Sequence, residues 1–331
     1  MSATPTIAPA VPSTGPARAP RQLRWLIRLH RPALLTGTAL VLLTGAALLW
    51  LGGPLTDAAE TAWKQYGACG SASHCSYDQN AAVRHRDVYT YTTFAVLAVP
   101  FLITAWAGGS LTGRETESGT VRLAWTQGVS PARWLASRLA FPAVLAVAAT
   151  GLLVWLHRLA RARAEGITDI ARSWSDTATF YADGTVPMAL ALAGLAAGAL
   201  AGLLLRRALA ALAAATVTLG ALWAAVDTAL PHLWPSVTEV SSLRDGPVGS
   251  GLWVGQGVLT ADGDRLATPC YSSMMPECEA ALADLDAVSF YRDLHPAAHY
   301  WPLQLVASGI LLAVAALLAY AAFRLLRRRT A

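Results

Sequence analysis

Two histidines four residues apart are the first candidates for metal chemistry. His295 and His299 lie in the stretch HPAAHYWP, and two zinc ligands at this spacing can share one face of a helix. The stretch lacks the glutamate of the H-E-x-x-H pattern, and Pro296 and Pro302 argue against a regular helix through the pair. We therefore interpret the histidines as part of an interfacial group of aromatic and histidine side chains, with no metal bound.

The sequence contains no other pattern that supports catalysis. It has no G-x-x-x-x-G-K-[ST] motif, the usual cradle for nucleotide phosphates, and no Ser/His/Asp or Cys/His set falls on one predicted face. We therefore expect that the chain is not an enzyme and has no cofactor of its own. Any ATP and its Mg²⁺ would be bound by a partner subunit.

A polar stretch between two apolar runs contains the second group of candidate functional residues. The segment RETESGTVRLAWTQGVSPARWLASRLA, residues 114–140, contains four arginines and two glutamates. Arginines beside a membrane span are explained by the positive-inside rule. That rule does not require Glu115 and Glu117, because acidic residues contribute little to orientation.

The composition indicates which elements must position these groups. Hydrophobic residues make up 55% of the chain and charged residues 14%, which is typical of a membrane protein. All basic residues except Lys64 are arginines, which suggests a bacterial coding bias. The arginines flank apolar runs and do not form a basic stripe with interleaved aromatics, so nucleic acid is not an expected partner. We predict an all-α integral membrane protein of the bacterial plasma membrane.

Six apolar runs of about twenty residues are long enough to cross a bilayer. Only Arg206 and Arg207 separate the fourth run from the fifth. Two arginines in mid-membrane would be costly, so a tight hairpin at the interface is favoured. The predicted spans are Ala33–Leu51, Thr93–Leu111, Leu139–His157, Val186–Leu205, Ala208–Thr228 and Leu303–Phe323.

The distribution of basic residues predicts that both chain termini are cytoplasmic. With this orientation, fifteen of the 25 basic residues lie in short inside segments and ten in three longer outside loops. Arg158, Arg161 and Arg163 conflict with it, because they follow the third span on the predicted outside, where Glu165 and Asp169 offset them only in part. The inside arginines are Arg18, Arg21, Arg24, Arg28, Arg31, Arg114, Arg122, Arg133, Arg138, Arg206, Arg207, Arg324, Arg327, Arg328 and Arg329.

All four cysteines lie in the predicted outside loops, where an oxidising compartment permits disulfides. Cys69 and Cys75 occur in CGSASHC, and Cys270 and Cys278 occur in CYSSMMPEC. Pairing within each loop is the simplest arrangement. Cross-pairing, and a metal site that includes His74, remain alternatives, although a structural zinc site needs four ligands.

The segment before the first span divides into a tail and a helix. Residues 1–17 are rich in Ala, Pro, Ser and Thr and are predicted to be a disordered tail. Residues 18–32 are predicted to form an amphipathic helix at the inner interface. An anionic-lipid anchor explains this helix as well as a role in coupling does. Its basic face consists of Arg21, Arg24, Arg28 and Arg31.

The polar stretch has start and stop signals for two helical segments. Thr120 can cap the first segment and Gly128 can end it, while Ser130 can cap a second segment with Pro131 at its first position. The sequence therefore predicts an amphipathic elbow. The apolar face of its first segment would contain Val121, Ala124 and Trp125.

The segment ETESGTVRLAWTQGVSPARWLASRL resembles the loop between the second and third spans of type-2 ABC transporter permeases, the membrane subunits of ATP-driven exporters. The similar features are an acidic residue, Gly-Thr, a short apolar helix, a turn and a basic residue that enters the third span. RLAWTQGVSPARWLA is especially similar to actinobacterial members. The chain departs from the family at Gly128, where many relatives have proline, and in the length of loop 229–300.

The resemblance implies that this stretch is a coupling helix that docks onto a separate cytosolic ATP-binding cassette ATPase. It also implies a homodimer or a heterodimer with a similar permease, which would supply twelve spans. Spans one to five would occupy residues 33–228, with the coupling loop at 112–138. The implied coupling residues are Glu115, Glu117, Gly119, Thr120, Arg122 and Trp125.

Two further segments complete the predicted organisation. Residues 229–301 would form an extracellular loop or subdomain, and residues 302–331 the sixth span with a basic tail. Asp227, near the outer end of the fifth span, is interpreted as an end-of-helix carboxylate. Small residues in Gly108-Gly109 and in GLAAGALAG, which begins at Gly194, are spaced for close helix packing.

The function expected from the resemblance is that of a permease subunit, surrounded by membrane lipid, that couples an ATPase to substrate export. The alternative is a membrane-embedded ligand-binding or sensing subunit whose disulfide-bearing outer loops recognise a ligand. The composition does not indicate the substrate.

Overall fold

The computed structural model describes residues 31–70, 76–119, 130–166, 172–268, 270–271 and 275–330. The chain divides into two units, Met1–Leu42 and Leu43–Ala331. Within the described ranges, six helices are long and apolar enough to cross a membrane, as predicted. Span 1 comprises Arg31–Trp50, a π-helical turn Leu51–Leu55 and Thr56–Ala68; span 2 comprises Gln79–Trp106, a π-helical segment Ala107–Gly113 and Arg114–Glu117; span 3 is Pro131–Ala164, span 4 Val186–Leu205, span 5 Ala208–Ala229 and span 6 Tyr300–Thr330.

Spans 2 and 3 begin earlier than the apolar runs predicted. Span 2 starts at Gln79, where the Asp78 carboxylate accepts a hydrogen bond from the Ala81 amide at 3.2 Å. Span 3 starts after Ser130, whose side chain accepts from the Arg133 amide at 3.4 Å. Run length measures only the part of a helix that matches the hydrocarbon core, whereas these caps set the true helix starts.

Span 1 is kinked in its middle. Gly53 has non-helical backbone angles, φ −114° and ψ −106°, and Pro54 follows it. Proline lacks the amide hydrogen and its ring clashes with the preceding turn, so the hydrogen-bond ladder is interrupted here. Pro100 in span 2 and Pro142 in span 3 lie within helices that continue through them.

The alternating spans define two ends of the second unit. The hairpin end contains the Arg206-Arg207 turn between spans 4 and 5, together with Glu117 and Ser130. The end of span 6 is also here, because the Arg329 guanidinium donates to the Leu203 carbonyl oxygen. The subdomain end contains residues 172–185 and the segment between spans 5 and 6.

Span 4 is the central helix of the described bundle. In its apolar window 67% of the residues are buried, against at most 39% in any other described span. Its small residues permit this packing, because glycine and alanine let the backbone of a neighbouring helix approach closely. Spans 2, 3, 5 and 6 are therefore positioned by their contacts with span 4, whereas span 1 packs against spans 2 and 3.

Glycines bring the backbones of spans 2 and 4 together. A Cβ atom at Gly198 would lie 2.6 Å from the backbone nitrogen of Gly108, and one at Gly202 would lie 2.6 Å from that of Gly113. Real Cβ atoms essentially never come so close, and backbone atoms cannot move aside as a flexible side chain can. The predicted packing role of GLAAGALAG and Gly108 is therefore confirmed.

An antiparallel sheet occupies much of the segment before span 6. Its strand order is β1-β4-β2-β3. Phe290 in β4 and Val258 in β2 are paired in register, and the short helix Pro276–Asp284 packs over them through Leu282. The all-α class is thus correct for the spans and incomplete for this segment, whose alternating side chains suit a sheet with one covered face. The strands are β1 Val237–Ser242, β2 Leu252–Thr260, β3 Arg265–Leu266 and β4 Ala287–His295.

Replacing Gly198 with alanine should loosen the contact between spans 2 and 4. The new methyl group would overlap the Gly108 backbone, and we expect the free energy of unfolding to fall by about 1–3 kcal/mol. The matched control is Gly220→Ala in span 5, where no heavy atom lies within 4 Å of the added Cβ. Melting in detergent, followed by size exclusion after heating, should separate the two variants. Equal melting temperatures would contradict the close-packing account.

Candidate coupling site and the buried network at the opposite end

Glu115 connects the end of span 2 to span 3. Its carboxylate forms an ion pair with the Arg138 guanidinium, Oε1 to Nη2, at 2.5 Å. Only 18% of the Glu115 side chain and 5% of the Arg138 side chain is exposed. A pair this buried is held by its own charge-assisted hydrogen bonds, and removal of one partner leaves a charge without compensation.

Glu117 connects the same helix end to span 5. Its carboxylate oxygen Oε2 accepts a hydrogen bond from the Ala208 amide at 2.9 Å. Ala208 is the first residue of span 5, and the preceding Arg207 provides no side-chain cap. Glu117 therefore satisfies one of the unpaired amides at this helix start and places negative charge at the positive end of its dipole.

The turn between spans 4 and 5 is as tight as predicted. Span 4 ends at Leu205, and Arg206 adopts a left-handed conformation with φ 53° while its amide bonds the Gly202 carbonyl at 3.1 Å. Arg207 is extended and span 5 begins at the next residue. Both arginines are exposed, so neither is placed in the middle of the bundle.

Two threonines complete the connection between spans 2 and 4. The Thr112 hydroxyl donates to the Ala199 carbonyl at 3.1 Å, and the Thr116 hydroxyl is 3.2 Å from the Gly202 carbonyl. Thr112 belongs to the π-helical segment Ala107–Gly113, a rare backbone form that often occurs at functional sites. The end of span 2 is thus bonded to spans 3, 4 and 5. We call residues Thr112–Gly119 the loop base.

Three of the six predicted coupling residues are among those that the structure describes. Glu115 and Glu117 face neighbouring spans, and Gly119 has φ +72°, a left-handed conformation that suits glycine after a helix end. Thr120, Arg122 and Trp125 lie outside the described residues, as do Arg21, Arg24 and Arg28. Arg31 is the first described residue and begins span 1. The docking role therefore stays a prediction.

One predicted disulfide is confirmed. Cys270 and Cys278 are bonded, with their Cα atoms 5.4 Å apart, and they close the end of the subdomain core. Cys69 has no free thiol, but Cys75 lies outside the described residues, so the pair within the first loop remains a prediction.

The two histidines of the HPAAHYWP stretch bond to each other. His295 ends β4 and His299 lies in a 3-10 turn, so no regular helix contains both. Their Nδ1 atoms are 3.2 Å apart, and His295 Nε2 is 3.0 Å from the Pro231 carbonyl oxygen. A carbonyl oxygen can only accept, so His295 Nε2 is the donor in that contact. Among the described residues no group of three or more His, Cys, Asp or Glu could hold a metal ion.

A buried charged network lies at the subdomain end. The Asp183 carboxylate, fully buried, accepts from Arg161 Nε at 2.7 Å and lies 3.4 Å from His157 Nδ1. The other ring nitrogen of His157 is 2.9 Å from the Thr93 hydroxyl. One carboxylate therefore joins two side chains of span 3, and through His157 it reaches span 2.

Further hydrogen bonds extend this network to span 6. The Tyr300 hydroxyl donates to the Asp183 carbonyl oxygen at 2.7 Å. Gln304 donates to the Phe180 carbonyl at 2.7 Å and accepts from the Val186 amide at 3.2 Å. Spans 2, 3, 4 and 6 are thus held together at the subdomain end by buried polar contacts, which are strong only while all members are paired.

Two of the three arginines that conflict with the predicted orientation have partners here. Arg161 is paired with Asp183, and also with Glu165 at 3.4 Å. The Arg158 guanidinium lies over the rings of Tyr300 and Trp301, 5.5 and 4.7 Å from their centroids. These partners offset the positive charge of Arg161 and Arg158, and the orientation stays a prediction.

Asp227 lies in the last turn of span 5, near the fully buried Tyr181. Tyr181 belongs to the short helix Thr177–Ala182 between spans 3 and 4. Burial, reinforced by the Asp227 charge, raises the pKa of Tyr181 well above its usual range. The tyrosine therefore stays neutral, and Asp227 faces the helix bundle and not only the interface.

Replacing only Arg138 of the Glu115–Arg138 pair should lower the free energy of unfolding more than replacing both residues. Arg138→Gln removes the counter-charge of the Glu115 carboxylate, at a cost of about 3–5 kcal/mol. The double variant Glu115→Gln/Arg138→Gln should recover much of this loss, because two neutral amides can bond to each other. Arg133→Gln, an exposed site on the same helix, is the control. Additive melting shifts in the cycle would show that the two side chains do not interact.

The two carboxylate partners of Arg161, Asp183 and Glu165, should differ sharply in how much they contribute to stability. Asp183→Asn removes a fully buried charge and should lower the melting temperature by several degrees, since about 3 kcal/mol or more depends on this pairing. Glu165→Gln changes a side chain that is 65% exposed and should cost less than about 1 kcal/mol. Thermal melting of the two variants in the same detergent tests this order, and a larger loss in Glu165→Gln would refute it.

A known membrane-protein family matches the part of the chain that contains the loop base, the turn between spans 4 and 5, and Asp183. The family described as ABC-2 membrane transporter related matches residues 38–231, more than half of the 331-residue chain. Neither a curated protein nor a solved structure matches the chain. With six described helices able to cross a bilayer, this is a multi-pass membrane permease, and it belongs to the ABC-2 membrane transporter related family.

Proposed function

We propose that the chain is the transmembrane subunit of an ATP-driven exporter in the bacterial plasma membrane, and that its loop base transmits work from a separate ATP-binding subunit. The observation that carries this proposal is the double attachment of the loop base. Glu115 is paired with Arg138 of span 3, and Glu117 is bonded to the Ala208 amide of span 5.

These attachments determine where a force on the loop would go. Residues 118–130 connect spans 2 and 3 through the chain itself. The Glu117 and Thr116 contacts add spans 5 and 4, so a push on the loop base would reach four spans. Close-packed helices respond to such a push as rigid bodies, because packed interfaces are not continuously deformable.

The network at the subdomain end would oppose this movement. Asp183 and its partners hold spans 2, 3, 4 and 6 together, and alternating access requires one end to separate while the other closes. ATP-driven movement of the loop base would therefore have to break or tilt this network. The predicted orientation places it on the outer side, where substrate would leave.

The ATP-binding partner supplies the chemistry that the permease lacks. Members of this family normally work with an ATP-binding subunit. Six spans per chain also favour a homodimer or a heterodimer with a similar permease around the substrate path. In the orientation predicted from the basic residues, both termini and the loop base would face the cytoplasm.

The coupling role can be tested with the reconstituted complex. We expect Glu117→Ala to lower substrate-stimulated ATP hydrolysis and transport at least about tenfold, because span 5 loses its link to the loop base. Its melting temperature should change by only a few degrees, since the carboxylate is exposed and one helix cap contributes about 1 kcal/mol.

Glu165→Ala, at the opposite end of span 3, is the matched control and should retain coupled hydrolysis. Unchanged association with the ATP-binding subunit together with unchanged coupled turnover in Glu117→Ala would remove the coupling role.

A further inference from the structure

A cavity of about 600 Å³ lies at the subdomain end, between the second helix of span 1 and the start of span 2. Its walls come from Thr56–Ala68, from the first turns after Gln79, and from Arg172 in the segment before span 4. The volume falls within the range of pockets that hold small organic ligands. This cavity takes no part in the contacts of the loop base or of Asp183.

Three aromatic side chains form the apolar wall of the cavity. The Trp63 and Tyr66 rings are 5.6 Å apart, and Tyr66 meets Tyr77 edge-on at 5.1 Å. Their relative exposures of 37%, 49% and 36% show that substantial ring surface remains uncovered. Aromatic rings in such a cluster contribute large contact area with little conformational freedom to lose, which makes them effective binding surfaces.

The two charged side chains among the described lining residues are both arginines. Arg86 and Arg172 line it, and no carboxylate is among its described lining residues. Arg172 is already paired with Asp176 at 3.2 Å. The Arg86 guanidinium makes no hydrogen bond or ion pair with any described side chain, so its donors are available to a ligand.

We propose that this cavity binds an amphipathic organic anion: a molecule with an aromatic or apolar ring and a carboxylate, sulfonate or phosphate group. The ring would pack against Trp63, Tyr66 and Tyr77, and the anionic group would accept hydrogen bonds from Arg86. An aromatic cage alone would also suit a cation. Arg86, whose guanidinium has no carboxylate partner among the described residues, favours an anion over a cation here.

The proposal does not rest on ATP-driven transport. A site at this end could select a transported molecule or report its presence, and the binding measurement needs neither ATP nor the ATP-binding subunit. Failure of the coupling experiment would leave this site untouched, and failure of binding here would leave the loop base untouched.

The test uses the full chain in phosphatidylcholine nanodiscs and naphthalene-2-sulfonate as the probe. Equilibrium dialysis should show saturable binding to the unmodified chain. Arg86→Gln and Trp63→Ala should each weaken it about tenfold or more, because each removes one of the two contacts the ligand needs. Each variant must keep its melting temperature, which excludes loss of folding as the cause.

The matched control is Arg84→Gln. Arg84 is exposed on the same helix, its Nε donates to the Asn80 carbonyl at 3.3 Å, and it does not line the cavity. Binding by Arg84→Gln should equal that of the unmodified chain. Equal affinity in Arg86→Gln and Arg84→Gln would overturn the proposal. So would the absence of saturable binding to the unmodified chain, both in phosphatidylcholine alone and with phosphatidylglycerol added.

A second experiment distinguishes two possible ligands of the cavity, a soluble anion and the headgroup of an anionic lipid. If a headgroup occupies the cavity, phosphatidylglycerol in the nanodisc should compete with naphthalene-2-sulfonate, and native mass spectrometry should find this lipid retained by the unmodified chain but lost from Arg86→Gln. If the occupant is a soluble anion, phosphatidylglycerol should leave the affinity for the probe unchanged.

Discussion

The close approach of spans 2 and 4 is the constraint on which the hairpin end depends. Gly198 and Gly202 leave no side-chain volume between the two backbones, so the hydroxyls of span 2 can reach carbonyl oxygens of span 4. Once that distance is set, Glu115 and Glu117 lie within reach of Arg138 and the Ala208 amide. A wider separation would break these contacts together. The small residues are therefore as important to the proposed coupling site as the glutamates are.

Buried charge is used at both ends of the bundle, with different consequences. At the hairpin end one ion pair, one helix cap and two threonine hydrogen bonds attach a polar segment to three spans. At the subdomain end the Asp183 carboxylate is fully enclosed, and its partners come from spans that would have to separate during transport. Because a buried charge cannot lose its partner without a large penalty, each arrangement favours two discrete states over gradual movement. Such bistable contacts are what alternating access requires.

The sequence predicts the features that depend on local chemistry. Run length identifies six spans, and the arginine pair at 206–207 predicts the hairpin. Ser130 with Pro131 predicts a helix start, which in the structure is the start of span 3 itself and not of a separate elbow helix. It does not predict the partner of Arg161, because Asp183 lies 22 residues away in a short connecting segment and nothing in the local pattern joins them. The sheet was missed for a similar reason: its strands are brought together by pairing between residues such as Val258 and Phe290, which are distant in the chain. Glu117 was identified from a resemblance to a family, while its role as a cap for span 5 required the fold.

The central claim is that the loop base, the start of span 3 and the turn between spans 4 and 5 move as one body when ATP is bound and hydrolysed. Distances measured between spin labels by pulsed electron paramagnetic resonance test it directly, in the complex with the ATP-binding subunit. One label is placed at Ser118 and the other at Arg133 or Arg207. The account predicts that both distance distributions stay unchanged between the nucleotide-free and ATP-bound states, while a pair across the subdomain end, Arg163 to Trp301, shifts. Separation of Ser118 from Arg207 on ATP binding, with the subdomain-end pair unchanged, would contradict it.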